Sequence, residues 1–234
     1  MAALVVAPQW IGDAVMTEPL LARLHARGER ITVGALPWVA PVYRAMPQVA
    51  EVIEFPFRHG GLQWRERRAL ARAIEGRFAR AYVLPNSIKS ALLPLLAGIP
   101  VRIGYLGEAR VGLLTHRLKN PPKSGPGSRP PMVAFYAALA GGDPGPVAAP
   151  RLSIDAAAVA WAAAAHGLTP GAYLVLAPGA EFGPAKRWPE QHVAALAAQW
   201  RERERQPVVL LGSGKEAPLC TAIAAQATRA AAEQ

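Results

Sequence analysis

The strongest constraint on this chain is an alternation. Short, continuous apolar runs closed by Pro or Gly take turns with segments whose apolar residues recur at helical spacing. Residues 2–7 are the first such run, ended by Pro8, and residues 14–27 follow with Val15, Leu20, Leu21 and Leu24 along one helical stripe. Runs at 31–36, 49–55, 79–84 and 101–105 repeat the strand signal, with helical segments at 39–45, 63–76 and from 86 through Leu96 between them. Pro37, Pro47 and Pro56 punctuate the series. Strands that are apolar at every position need cover on both faces, and strands joined through helices run parallel. The expected fold is therefore α/β, with a parallel sheet between two helical layers.

The pattern also divides the chain. Residues 120–131 are rich in Pro, Gly, Lys and Ser and mark an excursion, after which 132–140 resume as a helix. Residues 141–150 form a second Gly/Pro/Ala segment. We expect a first domain over 1–140, a linker over 141–150 and a second unit over 151–234. That unit reads as an Ala-rich helix at 155–166, a strand at 173–177, a helix at 190–203, a strand at 207–211, and Gly212-Ser213-Gly214-Lys215 opening a last helix. Two strands make a poor independent sheet, so the second unit is expected to be incomplete.

Charge and cysteine usage narrow the function classes. Lys and Arg number 26 against 16 Asp and Glu, a net charge of +10, which favours anionic partners: nucleic acid, phosphorylated sugars, nucleotides or an acidic membrane. The densest cluster, Arg65, Arg67, Arg68 and Arg72, reads as a solvated helix face, and no nucleic-acid motif accompanies it. Cys220 is the one cysteine, which excludes an internal disulfide and a multi-cysteine metal site and fits a reducing cytoplasm. The first residues lack the basic flank of a signal peptide and read as a strand. No apolar stretch approaches the roughly 20 residues that span a bilayer, so any membrane contact is expected to be peripheral.

Open α/β sheets hold ligands in the loops at the carboxyl ends of their strands. Trp10-Ile11-Gly12-Asp13 follows the first strand. Asp13 stands where a helix N-cap belongs, worth about 1 kcal/mol, and is equally a carboxylate able to act as a general base. In the second unit, Pro178-Gly179-Ala180-Glu181-Phe182-Gly183-Pro184-Ala185-Lys186-Arg187-Trp188-Pro189 joins a strand to a helix. Two glycines admit close approach, and Lys186 and Arg187 precede a helix start that itself favours anions, so a phosphate is the natural guest. Trp64, Trp161 and Trp200 lie at helical positions and are expected in the core or half-buried, while Trp10 and Trp188 flank the proposed site. His59, His116 and His192 are scattered singly and read as surface or packing residues.

Four blocks in this order resemble the ADP-heptose:lipopolysaccharide heptosyltransferases of glycosyltransferase family 9, nearest to the members that add the second inner-core heptose. They are the Trp10–Asp13 motif, Leu84-Pro85-Asn86-Ser87-Ile88-Lys89-Ser90-Ala91-Leu92, Ala97-Gly98-Ile99-Pro100-Val101-Arg102-Ile103-Gly104-Tyr105 and the Pro178–Pro189 loop. The resemblance implies a GT-B fold, in which two Rossmann-like domains with parallel sheets face each other, the first binding acceptor and the second the nucleotide sugar. It implies inverting, metal-independent and cofactor-free transfer of heptose from ADP-L-glycero-D-manno-heptose to a phosphorylated heptosyl-Kdo2-lipid A. Asp13 matches the family's base and Lys186 its donor-phosphate contact, and closure would set them on opposite sides of the reacting centre. Carried over residue by residue, donor binding falls on Gly179, Ala180, Glu181, Lys186 and Arg187, with Ser213 and Lys215 in the next loop. Acceptor binding falls on Trp10, Gly12, Asn86 and Lys89. A monomer without nucleic-acid partners, cytoplasmic and peripheral at the inner face of the inner membrane, is the implied setting.

Family members continue past the position of Gln234 with an Asn/Thr-Asp-Ser-Gly-Leu-Met-His loop that binds the diphosphate, so the resemblance also implies a C-terminally truncated second domain with little or no transfer activity. A rival from another class is a non-catalytic module that holds anionic glycolipid. A Rossmann dehydrogenase is disfavoured because residues 8–13 lack G-x-G-x-x-G.

Overall fold

The computed structural model describes residues 1–58, 61–108, 110–122, 125, 130–142, 145–180 and 184–232. They divide into two units, residues 1–153 and 154–234. The first unit runs β1 (Ala2–Val6), α1 (Ile11–Met16), α2 (Glu18–Ala26), β2 (Arg30–Ala35), α3 (Ala40–Arg44), β3 (Val49–Glu54), α4 (Trp64–Ala73), β4 (Arg80–Val83), α5 (Ile88–Leu96), β5 (Val101–Tyr105), β6 (His116–Leu118) and α6 (Met132–Ala137), the last continued by a 3-10 turn at Ala138–Ala140. All six strands are parallel, in the order β3-β2-β1-β4-β5-β6.

β1 shows why this sequence makes a doubly covered sheet. Ala3 and Val5 enter one core with Leu20, Leu21, Leu24, Tyr43 and Phe135, beneath α1, α2, α3 and α6. Leu4 and Val6 enter the other with Phe55, Ile74, Phe78 and Leu93, beneath α4 and α5. Successive side chains alternate faces, so a run with no polar position is satisfied only between two apolar layers.

Three features depart from the sequence expectation. The single helix expected over 14–27 is two, broken at Thr17, because Pro19 has no N–H to donate and its ring excludes a continuous helix. Thr17 closes the first piece by donating its hydroxyl to the Ala14 carbonyl at 2.6 Å. The segment after β5, where no strand was expected, contains β6, whose exposed His116 and Arg117 on an edge strand carry no apolar signal and discourage pairing with another chain. The division between units falls after Ser153, beyond the expected 141–150 linker. That segment is tied back to the first unit: Arg27 donates to the carbonyls of Ala140 and Gly141, Arg23 to that of Pro146, and the Ser153 amide to the Ala45 carbonyl.

The second unit contains α7 (Ala156–Ala165), β7 (Leu174–Leu176), a 3-10 turn (Pro184–Lys186), α8 (Glu190–Glu204), β8 (Val208–Leu210), a 3-10 turn (Gly214–Glu216) and α9 (Ala217–Ala232). β7 and β8 pair in parallel, and Leu176, Val208 and Leu210 pack with Val193, Ala194, Ala197, Ile223 and Ala227 from α8 and α9. Trp161, expected to be packed, is instead 73% exposed, because α7 buries none of its residues.

Candidate active site

In the first unit the strand order reverses between β1 and β4, since β1 leads outward through β2 and β3 and β4 through β5 and β6. The crevice at the carboxyl ends of that strand pair is the topological switch point where open α/β sheets bind ligands. Its two walls are the loops after β1 and after β4, which carry the expected residues Trp10, Gly12, Asp13, Asn86 and Lys89.

Asp13 is not the N-cap expected of it. Trp10 takes that position in extended backbone (φ −108°, ψ 138°), and no side chain caps α1. Asp13 lies in the first turn, half-buried, and burial raises its carboxyl above the ordinary value. It is a carboxylate whose ionised form is partly desolvated, which increases its affinity for a proton. Below it the Tyr43 phenol shares a hydrogen bond of 3.1 Å with the Thr17 hydroxyl. Burial raises the Tyr43 and Tyr136 phenols strongly, and the charge of Asp13 adds to both. Both therefore stay neutral beside the carboxylate. Trp10 is 43% exposed, and a side chain added at Gly12 would meet no atom, so the approach to Asp13 is open on that side.

The loop after β4 is held by groups that the sequence does not single out. Ser87 caps α5 by accepting from the Ser90 amide at 3.3 Å, and the Ser90 hydroxyl donates to the carbonyls of Ser87 (2.7 Å) and Pro85 (3.0 Å). Arg110, fully buried, donates to the Pro85 carbonyl at 2.7 Å, to the Tyr105 carbonyl and to Asn86 Oδ1 at 3.0 Å. Asn86 thus has its side-chain oxygen fixed by Arg110, an orientation that sets the direction of its amide NH2. Gly107 permits this packing, because a Cβ there would sit 2.9 Å from the Asn86 carbonyl oxygen.

Arg67 leaves the solvated cluster expected of it. It is buried, with its guanidinium 4.1 Å from the centre of the Phe57 ring, and donates to the carbonyls of Leu62 (2.7 Å) and Lys89 (2.9 Å). Lys89, Arg58, Arg67, Gln9, Ser87 and Glu108 line a cavity of about 260 Å³ over Phe55 and Phe57. Of the expected acceptor-side residues, Lys89 lies in this cavity, while Asp13, Trp10, Gly12 and Asn86 stand outside its lining. Arg58, Arg67 and Arg110 were missed because an arginine next to other charges gives no sign of which way it turns.

In the second unit the loops after β7 and β8 converge on Glu216. Its carboxylate accepts from the Ser213 amide (2.7 Å) and hydroxyl (2.8 Å) in a capping box. These bonds hold its pKa below the usual range, the Ser213 amide contributing most and Arg187 adding its charge. A Cβ on Gly179 would fall 1.6 Å from Glu216 Oε1, so glycine is what lets the two loops meet. The donor atoms of Ser213, expected to face a ligand, are engaged by this carboxylate. Lys186 ends the 3-10 turn before α8, followed by exposed Arg187 and Trp188, the latter stacked 5.8 Å from His192; Lys215 is exposed in the turn after β8. Ala180 is half-buried, and the expected contact Glu181, with Phe182 and Gly183, lies outside the described residues, as do His59 and most of 120–129.

The family model described as "Glycosyltransferase family 9 (heptosyltransferase)" matches residues 67–233. The chain belongs to this family. Curated relatives include lipopolysaccharide heptosyltransferase 2 of Escherichia coli, 41% identical over 229 residues and covering 92% of this chain and 64% of the relative, and lipooligosaccharide heptosyltransferase 2 of Haemophilus influenzae at 35% identity, covering 92% and 65%. The family-9 chain therefore spans a little under two thirds of the length of these relatives. Its fold matches the solved E. coli ADP-heptose LPS heptosyltransferase II with a TM-score of 0.81 at 37% identity, covering 97% of this chain and 71% of that one. An E. coli heptosyltransferase solved with ADP-2-deoxy-2-fluoro heptose shares the fold alone, with a TM-score of 0.70 at 19% identity, covering 96% and 73%. The architecture is accordingly GT-B-like α/β, with one Rossmann-type sheet of six strands in the first unit and two strands described in the second.

Proposed function

We propose that this family-9 chain serves a heptosyltransferase reaction, moving heptose from ADP-L-glycero-D-manno-heptose to the heptosyl-Kdo2-lipid A inner core of lipopolysaccharide with inversion and without a metal or cofactor. The observation that carries the proposal is Asp13, a half-buried carboxyl of raised proton affinity on the open edge of a sheet's switch point. As base it takes the proton from the acceptor hydroxyl while that oxygen attacks the anomeric carbon; as the bond to the diphosphate breaks, Lys186 and Arg187 offset the charge on the departing ADP. Trp10 and Gly12 border the acceptor's approach to Asp13. Lys89, with Arg58 and Arg67 beside it, binds the acceptor's phosphate. Gly179, Ala180 and Glu181 line the donor loop, with Lys215 and the Ser213–Glu216 turn in the next loop. The lipid of the acceptor sets the reaction at the cytoplasmic face of the inner membrane, where the chain works as a peripheral monomer.

The test is to express residues 1–234 and measure ADP release with ADP-heptose and a heptose-bearing acceptor, against Asp13→Asn as the blank. Release above that blank supports the proposal. Absence of release, together with absence of ADP binding by calorimetry, refutes it for this chain.

A further inference from the structure

α4 presents a surface that the transfer reaction leaves unused. At about 3.6 residues per turn, Trp64, Arg68 and Arg72 climb one side of the helix, with Arg65 and Ala69 beside them. These five residues line one shallow recess, and all are exposed. The opposite side buries Arg67 and Ala71, and Glu66 lies away from the arginine stripe. Arg65, Arg68 and Arg72 make no ion pair among the described residues, unlike Arg44, Arg77 and Arg80, which each face a glutamate. Exposed apolar side chains accompany them: Leu62 just before the helix and Trp64 at its first position.

We propose that this face is the membrane-docking surface of the protein and that its partner is an anionic phospholipid bilayer. A nucleic-acid duplex, its bases stacked inside, would reward the three arginines but not the leucine and tryptophan beside them. A bilayer rewards both: acidic headgroups attract the guanidinium groups, and the interfacial zone takes up tryptophan and short aliphatic chains. The same helix turns Arg67 from its buried side into the cavity of Lys89 and Arg58, so α4 carries both the docking face and part of that cavity's lining; the link to a lipid-borne acceptor depends on the acceptor assignment made above.

Sedimentation with vesicles tests it, using the whole chain and two lipid compositions: phosphatidylcholine alone, and phosphatidylcholine mixed with phosphatidylglycerol. Binding is expected only to the mixed vesicles and should weaken with added salt. Each arginine near an acidic surface changes partitioning by about fivefold, so Arg65→Gln/Arg68→Gln/Arg72→Gln together should lower it roughly a hundredfold. Trp64→Ala should weaken binding while preserving its salt dependence. Removing three arginines elsewhere, with Arg201→Gln/Arg203→Gln/Arg205→Gln, should have little effect. Glutamine keeps the helical preference of exposed arginine, and an unchanged far-ultraviolet dichroism spectrum confirms the fold. Equal losses in both triple variants, full binding by the α4 triple variant, or binding to a DNA duplex in place of vesicles would each overturn the proposal. Turnover on a detergent-dispersed acceptor needs no docking surface, so failure of the transfer proposal would show there and not in the sedimentation.

Discussion

Replacing Asp13 separates its chemical role from a structural one. A carboxylate in the first turn of a helix gains about 0.3–1 kcal/mol from the amide dipoles. Here burial opposes that gain and wins, because the folded pKa is raised above the ordinary 3.8. The sign follows from linkage. Between 3.8 and the raised folded value, the native state binds more protons than the unfolded state, so stability falls as pH rises through that window. At neutral pH, ionised Asp13 is a net cost to the fold. Asp13→Asn should therefore leave the thermal midpoint unchanged or slightly higher. Even complete loss of the dipole interaction, at 2–4 °C per kcal/mol for a chain of this size, should lower it by no more than about 4 °C. Loss of a general base should reduce turnover on the order of 10²–10⁴-fold. The assay pairs scanning calorimetry with ADP release and ADP titration, and ADP affinity should be unchanged. Loss of turnover accompanied by a fall in midpoint of about 10 °C, more than any first-turn interaction supplies, would refute the assignment and return Asp13 to a structural role.

The remaining perturbations probe the supporting groups. Arg110→Met should cost about 1–3 kcal/mol, because one buried and two partly buried acceptors lose a charged donor, and chemical denaturation would read it. Lys186→Ala should weaken ADP and ADP-heptose together by more than tenfold, about the 1.5–3 kcal/mol of a charge-assisted contact; unaltered ADP affinity by calorimetry would remove Lys186 from the site. Lys89→Ala should raise the acceptor KM and leave ADP binding as it was, and a parallel loss of both would contradict an acceptor role. Gly179→Ala should push Glu216 out of its capping box and lower stability. The same change in a Glu216→Ala background should then cost much less, a coupling that a double-mutant cycle measures.

The parallel sheet was legible because unbroken apolar strands such as β1 and β4 admit only a doubly covered position, and their helices announce themselves between prolines. Helix continuity through Thr17 was not legible from periodicity, since Leu20, Leu21 and Leu24 keep the stripe while Pro19 removes the hydrogen bond that would join the two pieces. β6 was hidden because an edge strand needs neither apolar face nor length. At the site, the loops were visible as polar breaks after strands, but the direction of each arginine was not. Arg67 and Arg68 are neighbours in sequence; one is buried over Phe57 and the other faces solvent, a difference set by where the helix meets α5. Glu216 was passed over for the same reason, because its partner Gly179 is brought to it only by the pairing of β7 with β8.

Each unit repeats one local plan and fills it with opposite chemistry. β1 and β2 pair in parallel with a loop and helical segment between them, two helices there and one between β7 and β8, which pair likewise. In the first unit the loop after the leading strand carries a carboxyl whose proton affinity is increased by burial, with neutral phenols beneath it. In the second, the equivalent loop carries Lys186 and Arg187, exposed, and Glu216, where the loops converge, is held ionised by Ser213. Proton removal is favoured by a partly desolvated carboxylate, whereas stabilising a leaving diphosphate needs groups that keep their positive charge. Exchanging the two side-chain sets between the loops should therefore abolish function even though the backbone plan is shared. For this chain, Asp13→Lys should bind no acceptor productively while retaining ADP affinity, and Lys186→Asp should lose ADP affinity while Asp13 keeps its raised pKa. A titration of the Asp13 carboxyl by nuclear magnetic resonance in the Lys186→Asp variant reads the second outcome directly. A return of that pKa toward 3.8 would show that the basicity of Asp13 depends on more than its own burial.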